Sequence, residues 1–150
     1  MMIFTIRKCE ISDAEVICEL NRSEMGYEYP LNKTRDKLSY LLKNKSNKIL
    51  VATIENHVVG YIHASDYDSI YLPPLKNIMG IAVMSDYKKK GIGKALLFAV
   101  ETWAKKTGAC GIRLVSGAER TSAHEFYRCC GYDCGKQQLN FKKTFREQKE

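Results

Sequence analysis

The sequence predicts an α/β (α+β) fold, and three observations carry that prediction. Short runs rich in Val, Ile, Thr and Tyr are interleaved with segments whose apolar residues recur every three or four positions, so strands and helices alternate along the chain. The most regular helical segment follows a strand-like run directly through a glycine turn, "IAVMSDYKKKGIGKALL". At 150 residues, with 45% hydrophobic and 27% charged residues, the chain has the size and balance of one domain with its own core. The predicted order is β, α, α, β, β, β, α, β, α, β, with no internal repeat, low-complexity segment or linker, so residues 1–150 are read as one domain.

Each element has its own signal. "MIFTIRKC" has the β-branched and aromatic content of an opening strand. "ISDAEVICELNRSEMG" reads as a helix, with Ser12 as N-cap, Glu15 three residues on as in a capping box, and Ile17 and Leu20 on one face. A proline-broken aromatic loop, "GYEYPL", leads to a second helix from about Asn32, carried by Leu38, Leu41 and Leu42. "NKILVATIENHVVGYIHASDY" divides at Glu55-Asn56-His57 into the two arms of a hairpin. "YLPPLKN" then interrupts with paired prolines before the strand "IMGIAVMS". From Gly91, the positions Ile92, Leu96, Ala99, Val100 and Trp103 form one helical stripe that stops at Gly108. "CGIRLVSG" reads as a short strand, "TSAHEFYRCCG" as a short helix stopped by Gly131, and "QQLNFKKTF" as an alternating final strand.

Composition narrows the function classes. No apolar run approaches the roughly 18 residues that span a bilayer, so no membrane association is expected. The N-terminus lacks the basic start and small-residue cleavage site of a signal peptide. Six scattered cysteines fit free thiols in a reducing cytoplasm better than a disulfide framework, and the chain has no C-x-x-C pair, so no metal is expected. The formal net charge of +7 points to an anionic partner. A nucleic acid is one such partner, yet the aromatic-basic interleaving of RNA-binding modules is missing.

The turn "YKKKGIGKALL" is the feature that selects among anions. A helix N-terminus presents unpaired N–H groups and the positive end of its dipole, and glycines let a ligand approach the main chain. A Walker A loop would need Gly at position 88 and Ser or Thr at 95, where this chain has Lys88 and Ala95. The dinucleotide fingerprint would need a small residue where Leu96 stands. What remains is a basic residue three before a G-x-G that opens an amphipathic helix. "IAVMSDYKKKGIGKALL" resembles the acetyl-CoA-binding motif of the GNAT superfamily of N-acetyltransferases, [Gln/Arg]-x-x-Gly-x-[Gly/Ala], with "VMSDY" and "GIG" most similar to the polyamine acetyltransferases. Lys88 takes the Gln/Arg position, which makes the side-chain contact a point charge rather than a fork.

"ERTSAHEFYRCCGY" supplies a second match, to the family's Ala-x-x-Phe-Tyr helix with Ala123, Phe126, Tyr127, Gly131 and Tyr132 in register. The two matches together cover roughly the C-terminal half of the chain. The resemblance implies a GNAT-like mixed, mostly antiparallel sheet of six to seven strands flanked by about four helices. It implies acetyl-CoA as cosubstrate, held by Lys88, Lys89, Lys90, Gly91, Ile92, Gly93 and Lys94. It places the backbone groups of Ile81, Ala82 and Val83 at the oxyanion and Tyr127 near the coenzyme sulfur, as general acid. The chemistry suits a tyrosine: a phenol pKa of about 10 against a thiol near 8.5 makes full proton transfer uphill by only roughly 2 kcal/mol.

A proton acceptor for the attacking amine is also required. The acid that the polyamine enzymes carry four residues before the strand valine is replaced here by Met79. Glu28, His63, Asp66 and Glu119 are the candidates, on segments that border the acceptor cleft in this architecture. The expected activity is transfer of acetyl from acetyl-CoA to a primary amine by direct attack in a ternary complex. The alternative is a CoA-binding module without turnover, suggested by the missing acid. The acceptor is a small-molecule amine or a protein amine, and Asp66, Asp68 and the aromatic loop Tyr27 to Pro30 favour a small polycation. The oligomeric state, a homodimer included, is left open by the sequence.

Overall fold

A computed structural model of the chain describes residues 3–146, and these fall into two compact units that divide between Leu114 and Val115. In the first unit five strands form one sheet in chain order: β1 (Thr5–Lys8), β2 (Asn47–Ile54), β3 (His57–Ser69), β4 (Leu72–Val83) and β5 (Gly111–Arg113). The pairings are antiparallel except the last, β4 with β5, which is parallel. Three helices belong to the same unit: α1 (Ala14–Met25), α2 (Leu31–Leu42) and α3 (Ile92–Lys106).

The middle of β2, "ILVAT", is buried residue by residue, as expected where both faces of a sheet are covered. Ile49 and Val51 face a cluster with Ile17 and Leu20 of α1 and Leu38 of α2. The buried stripe of α3, Ile92, Leu96, Leu97, Val100 and Ala104, belongs to the other layer. Leu97 joins this stripe, whereas Ala99 and Trp103 are only half-buried.

Local chemistry sets the boundaries. A single 3₁₀ turn, Ile11–Asp13, precedes α1. Its cap is not Ser12, which is exposed: Asp13 Oδ2 accepts the Glu10 N–H at 2.8 Å, and Arg7 donates to both Asp13 oxygens at 2.8 and 2.9 Å. A buried carboxylate with three donors outcompetes a hydroxyl in water. The hairpin turns at Glu55 and Asn56, both at positive φ (50° and 66°), the two-residue geometry that suits the twist of the strands.

The prolines do not interrupt the chain as the sequence reading expects. Pro73 and Pro74 lie inside β4, beside a register shift between Tyr67 and Ser69 of β3, where an irregular ladder makes no demand on their missing N–H. A second shift, between His63 and Ala64, sets Gly80 and Ile78 opposite consecutive β3 residues and bulges Met79 out. Glycines stop α1 at Gly26 (φ 75°) and follow α3 at Gly108 (φ 84°).

The second unit contains α4 (Thr121–Cys129), ended at Gly131 (φ 91°). The expected final strand over Gln137 to Phe145 is not formed: the segment has no regular structure, and Leu139, Phe141 and Phe145 are 82%, 87% and 90% exposed. Alternation is a strand signal only when a ladder and a covered face accompany it, and neither does here. The sheet is therefore five-stranded rather than six- to seven-stranded. Among the described residues no helix is long and apolar enough to cross a membrane.

Candidate active site

The lysine-glycine turn has the geometry of an anion cradle. After β4 the chain makes a 3₁₀ turn, Ser85–Tyr87, then passes Lys89 at φ 60° and Gly91 at φ 87° into α3. Gly91 is the N-cap, and its carbonyl accepts the N–H of Ala95 at 3.0 Å. The N–H groups of Ile92, Gly93 and Lys94 thus precede the first intrahelical bond, at the positive end of a four-turn dipole. A Cβ built at Gly91 would meet nothing within 4 Å, so the space above the turn is open. Lys88, Lys89, Lys90 and Lys94 are exposed around it. The donors, the open approach and the charge fit a diphosphate.

The strand that enters this turn has an open side. β4 pairs with β3 along most of its length, but with β5 only over Leu75–Asn77. Beyond Asn77, among the described residues, no strand pairs with the far edge of β4, the edge to which Ile81 and Val83 turn their main-chain groups. Side chains pin the short parallel ladder: Arg113 Nη1 donates to Asn77 Oδ1 at 2.5 Å, and its guanidinium lies 4.3 Å from the Tyr67 ring centroid. An open strand edge thus leads along β4 toward the turn. The Ala82 side chain is buried in the α1–α2 layer and its main-chain carbonyl faces Gly60 of β3, so in the alternation of the ladder it is Ile81 and Val83 that turn their backbone groups to the open edge.

The structure adds a residue that sequence reasoning did not single out. Glu24, in the last turn of α1, receives Lys88 Nζ at 2.9 Å and the Ser85 hydroxyl at 2.9 and 3.2 Å. The hydrogen bond from Lys88, and then that from Ser85, hold its carboxyl below the usual range against the opposing effect of burial. No local pattern joins Glu24 to the turn, because the two meet only through the packing of α1 on β4.

The four candidate proton acceptors are placed very differently. Asp66 is held by Lys76 Nζ at 2.5 Å, and this buried ammonium also lies 4.1 Å from the Trp103 ring centroid. Glu28 is exposed in the loop between α1 and α2, as are the aromatic residues Tyr27 and Tyr29. Glu119, in the second unit, folds its carboxylate back over Gly117. His63 stands directly opposite Gly80 of β4 and borders a cavity of about 190 Å³ whose lining includes Asn21, Thr34, Leu38 and Tyr61. Tyr61 and His63 alternate on one face of β3, and the Tyr61 hydroxyl donates to Asn21.

Burial pushes the His63 imidazole down to about 4, and Nε2 is 2.8 Å from Asn47 Oδ1. It is neutral at pH 7. The unfolded chain binds the extra proton near pH 6.5 and the folded chain only near 4, so stability falls as pH drops through that interval. Between pH 7 and pH 5 the wild type should lose about 2 kcal/mol more than His63→Gln in urea titrations, since glutamine keeps a polar partner for Asn47 but does not titrate.

Tyr127 belongs to the second unit, half-buried on α4, and packs on Phe126 (centroids 5.3 Å apart) and edge-on to Tyr132 (6.2 Å). Its carbonyl accepts the N–H groups of Cys130 and Tyr132, so the Gly131 stop fixes the end of the helix beneath it. Burial raises its pKa, only partly opposed by Arg120. The phenol therefore stays protonated at neutral pH and acts as a donor. Among the described residues no group of three His, Cys, Asp or Glu side chains is placed to hold a metal ion.

Comparison with known proteins gives a consistent picture. The model of a family described as "Acetyltransferase (GNAT) family" matches residues 14–132. The chain is 39% identical over 75 residues to streptothricin acetyltransferase A of Bacillus subtilis (strain 168), a match covering 49% of this chain and 40% of that protein. It is 32% identical over 103 residues to an N-alpha-acetyltransferase of Saccharolobus solfataricus, covering 64% and 59%. With the aminoglycoside N(6')-acetyltransferase type 1 of Stenotrophomonas maltophilia it shares 25% identity over 134 residues, 86% of each. The chain thus spans less than two thirds of the first two relatives. Among solved structures, AAC(6')-Iy in complex with the bisubstrate analog CoA-S-monomethyl-acetylneamine is similar at a TM-score of 0.84 and 18% identity, covering 95% of this chain and 99% of that one. A transcriptional regulator from Bacillus halodurans C-125 is similar at 0.84 and 21%, covering 94% and 100%. At these identities the likeness is one of fold.

Proposed function

The chain belongs to the acetyltransferase (GNAT) family, and on that premise we propose that it transfers acetyl from acetyl-CoA to a primary amine of a small cationic acceptor, by direct attack in a ternary complex. The observation that carries this reading is the pairing of an open β4 edge with a helix N-terminus whose first amides precede its first intrahelical bond. The cosubstrate supplies an activated acetyl thioester. Ile92, Gly93 and Lys94 would hold its diphosphate through main-chain N–H groups, with Lys88, Lys89, Lys90 and Lys94 offsetting its charge. The main-chain groups of Ile81 and Val83, which face away from β3, would line its arm, and an N–H among them would donate to the carbonyl oxygen as that atom gains negative charge. Tyr127, protonated through the neutral range, would donate to the departing sulfur.

His63, opposite Gly80 on the neighbouring strand, is the candidate nearest in register to Ile81 and Val83. An imidazole of pKa near 4 is a weak proton acceptor, which suits a relay toward solvent better than lasting capture of a proton from an ammonium. A cationic acceptor is supported by the names of two relatives, an aminoglycoside and a streptothricin acetyltransferase, and by the exposed loop Tyr27 to Pro30 with Glu28 within it. The free thiols are in keeping with a cytoplasmic setting. Release of free thiol from acetyl-CoA, followed over a panel of aminoglycosides, polyamines, amino acids and peptide N-termini, tests the reading. Turnover is expected with polycationic amines. Failure across the panel, with cofactor binding intact, would refute it.

A further inference from the structure

Glu24 and Lys88 pose a question that the transfer reaction does not answer. The Glu24 side chain is 11% exposed and that of Lys88 54%, so a largely buried carboxylate depends on a mobile cation for its charge balance. The same cation stands three residues before Gly91, at the rim of the anion cradle. A diphosphate there competes with Glu24 for Lys88 and brings more negative charge. The lysine has a flexible stem to follow it. Glu24 would then keep the Ser85 hydroxyl and the Ser85 main-chain N–H, both neutral donors. Its neighbour Met25 reaches within 3.7 Å of a Cβ built at Gly80, so the end of α1 lies against the middle of β4.

We infer that Lys88 serves two anions in succession, the Glu24 carboxylate before the cosubstrate arrives and the diphosphate afterwards, so that cosubstrate binding frees Glu24 beside β4 to receive a cationic amine. The inference rests on the reading that the turn holds a diphosphate. It makes the order of binding a property of one ion pair: a positively charged acceptor finds Glu24 already neutralised until the cosubstrate is in place.

Coenzyme A itself is the probe. Its Kd is measured by calorimetry at fixed ionic strength for the wild type, E24Q, E24D, K88M and the double variant E24Q/K88M, each first checked for cooperative melting. Competition predicts that E24Q tightens CoA binding by about three- to fivefold, the worth of one partly exposed ion pair. E24D should do the same, because its charge remains but its shorter arm no longer holds Lys88. K88M should weaken binding, and E24Q should then change nothing further. Weaker or unchanged binding in E24Q would overturn the inference, since Lys88 would then be held ready rather than held back. So would tightening in E24Q but not E24D, or tightening that persists in the K88M background, both marks of a general field effect. Should E24Q not fold, E24D decides the same question. No CoA binding by the wild type would instead remove the diphosphate reading, and this inference with it.

Discussion

Gly91→Glu should abolish the stabilisation of the protein by CoA. For the wild type, CoA at a hundred times its Kd is worth about 2.7 kcal/mol, which for a chain of this size is an upward shift in Tm of roughly 5–11 °C. Two effects remove it in the variant. At φ 87° any L side chain is strained, by about 1–2 kcal/mol, and the cradle loses its shape. The new carboxylate also projects into the open space above the turn, where it would repel a phosphate and take up the donors meant for it. Differential scanning with and without CoA checks this, with a loss of affinity of about a hundredfold or more expected. Gly91→Asn, which tolerates the left-handed conformation and adds no charge, should retain part of the shift. An unchanged shift in Gly91→Glu would move the diphosphate elsewhere.

Tyr127→Phe should lower kcat by about 10²–10³ with the KM for acetyl-CoA changed only a few-fold, because the variant loses a proton donor but no binding surface. The ring contacts with Phe126 and Tyr132 survive the substitution, so the melting temperature should hardly move. The pH profile separates a chemical role from a packing one. Burial raises the phenol pKa, so a wild-type rate that depends on the protonated form should hold to a higher pH than an ordinary tyrosine allows and then fall. That alkaline fall should be missing in the phenylalanine variant. A rate within threefold of wild type would leave Tyr127 as a packing residue only, against the factor of at least about a hundred that general acid catalysis supplies.

The parts of the site visible in the sequence are those made by consecutive residues. Gly91 as N-cap of α3, the lysines before it and Gly108 beyond its end are written in one continuous stretch, because helix caps are local devices. The hairpin turn at Glu55 and Asn56 was legible for the same reason. Where the reading failed, the deciding partner lay far away in sequence. Asp13 displaced Ser12 as a cap because Arg7 of β1 reaches it. Pro73 and Pro74 sit inside a strand because the β3 ladder shifts beside them. Gln137 to Phe145 alternates like a strand yet forms none, since a period of two says nothing about whether a neighbour is present to pair with. Glu24 was invisible for this reason as well: its meaning comes from Lys88 and Ser85, which only the packing of α1 on β4 brings to it.

The Lys76 ammonium beside the Trp103 ring has an optical corollary. Since the chain holds a single tryptophan, its entire indole emission originates at the junction of α3 with β4, next to an ion pair closed by Asp66. Fluorescence from this protein is therefore a gauge of whether that seam is shut, and quenching by a dissolved acceptor would register its fraying before the chain as a whole comes apart.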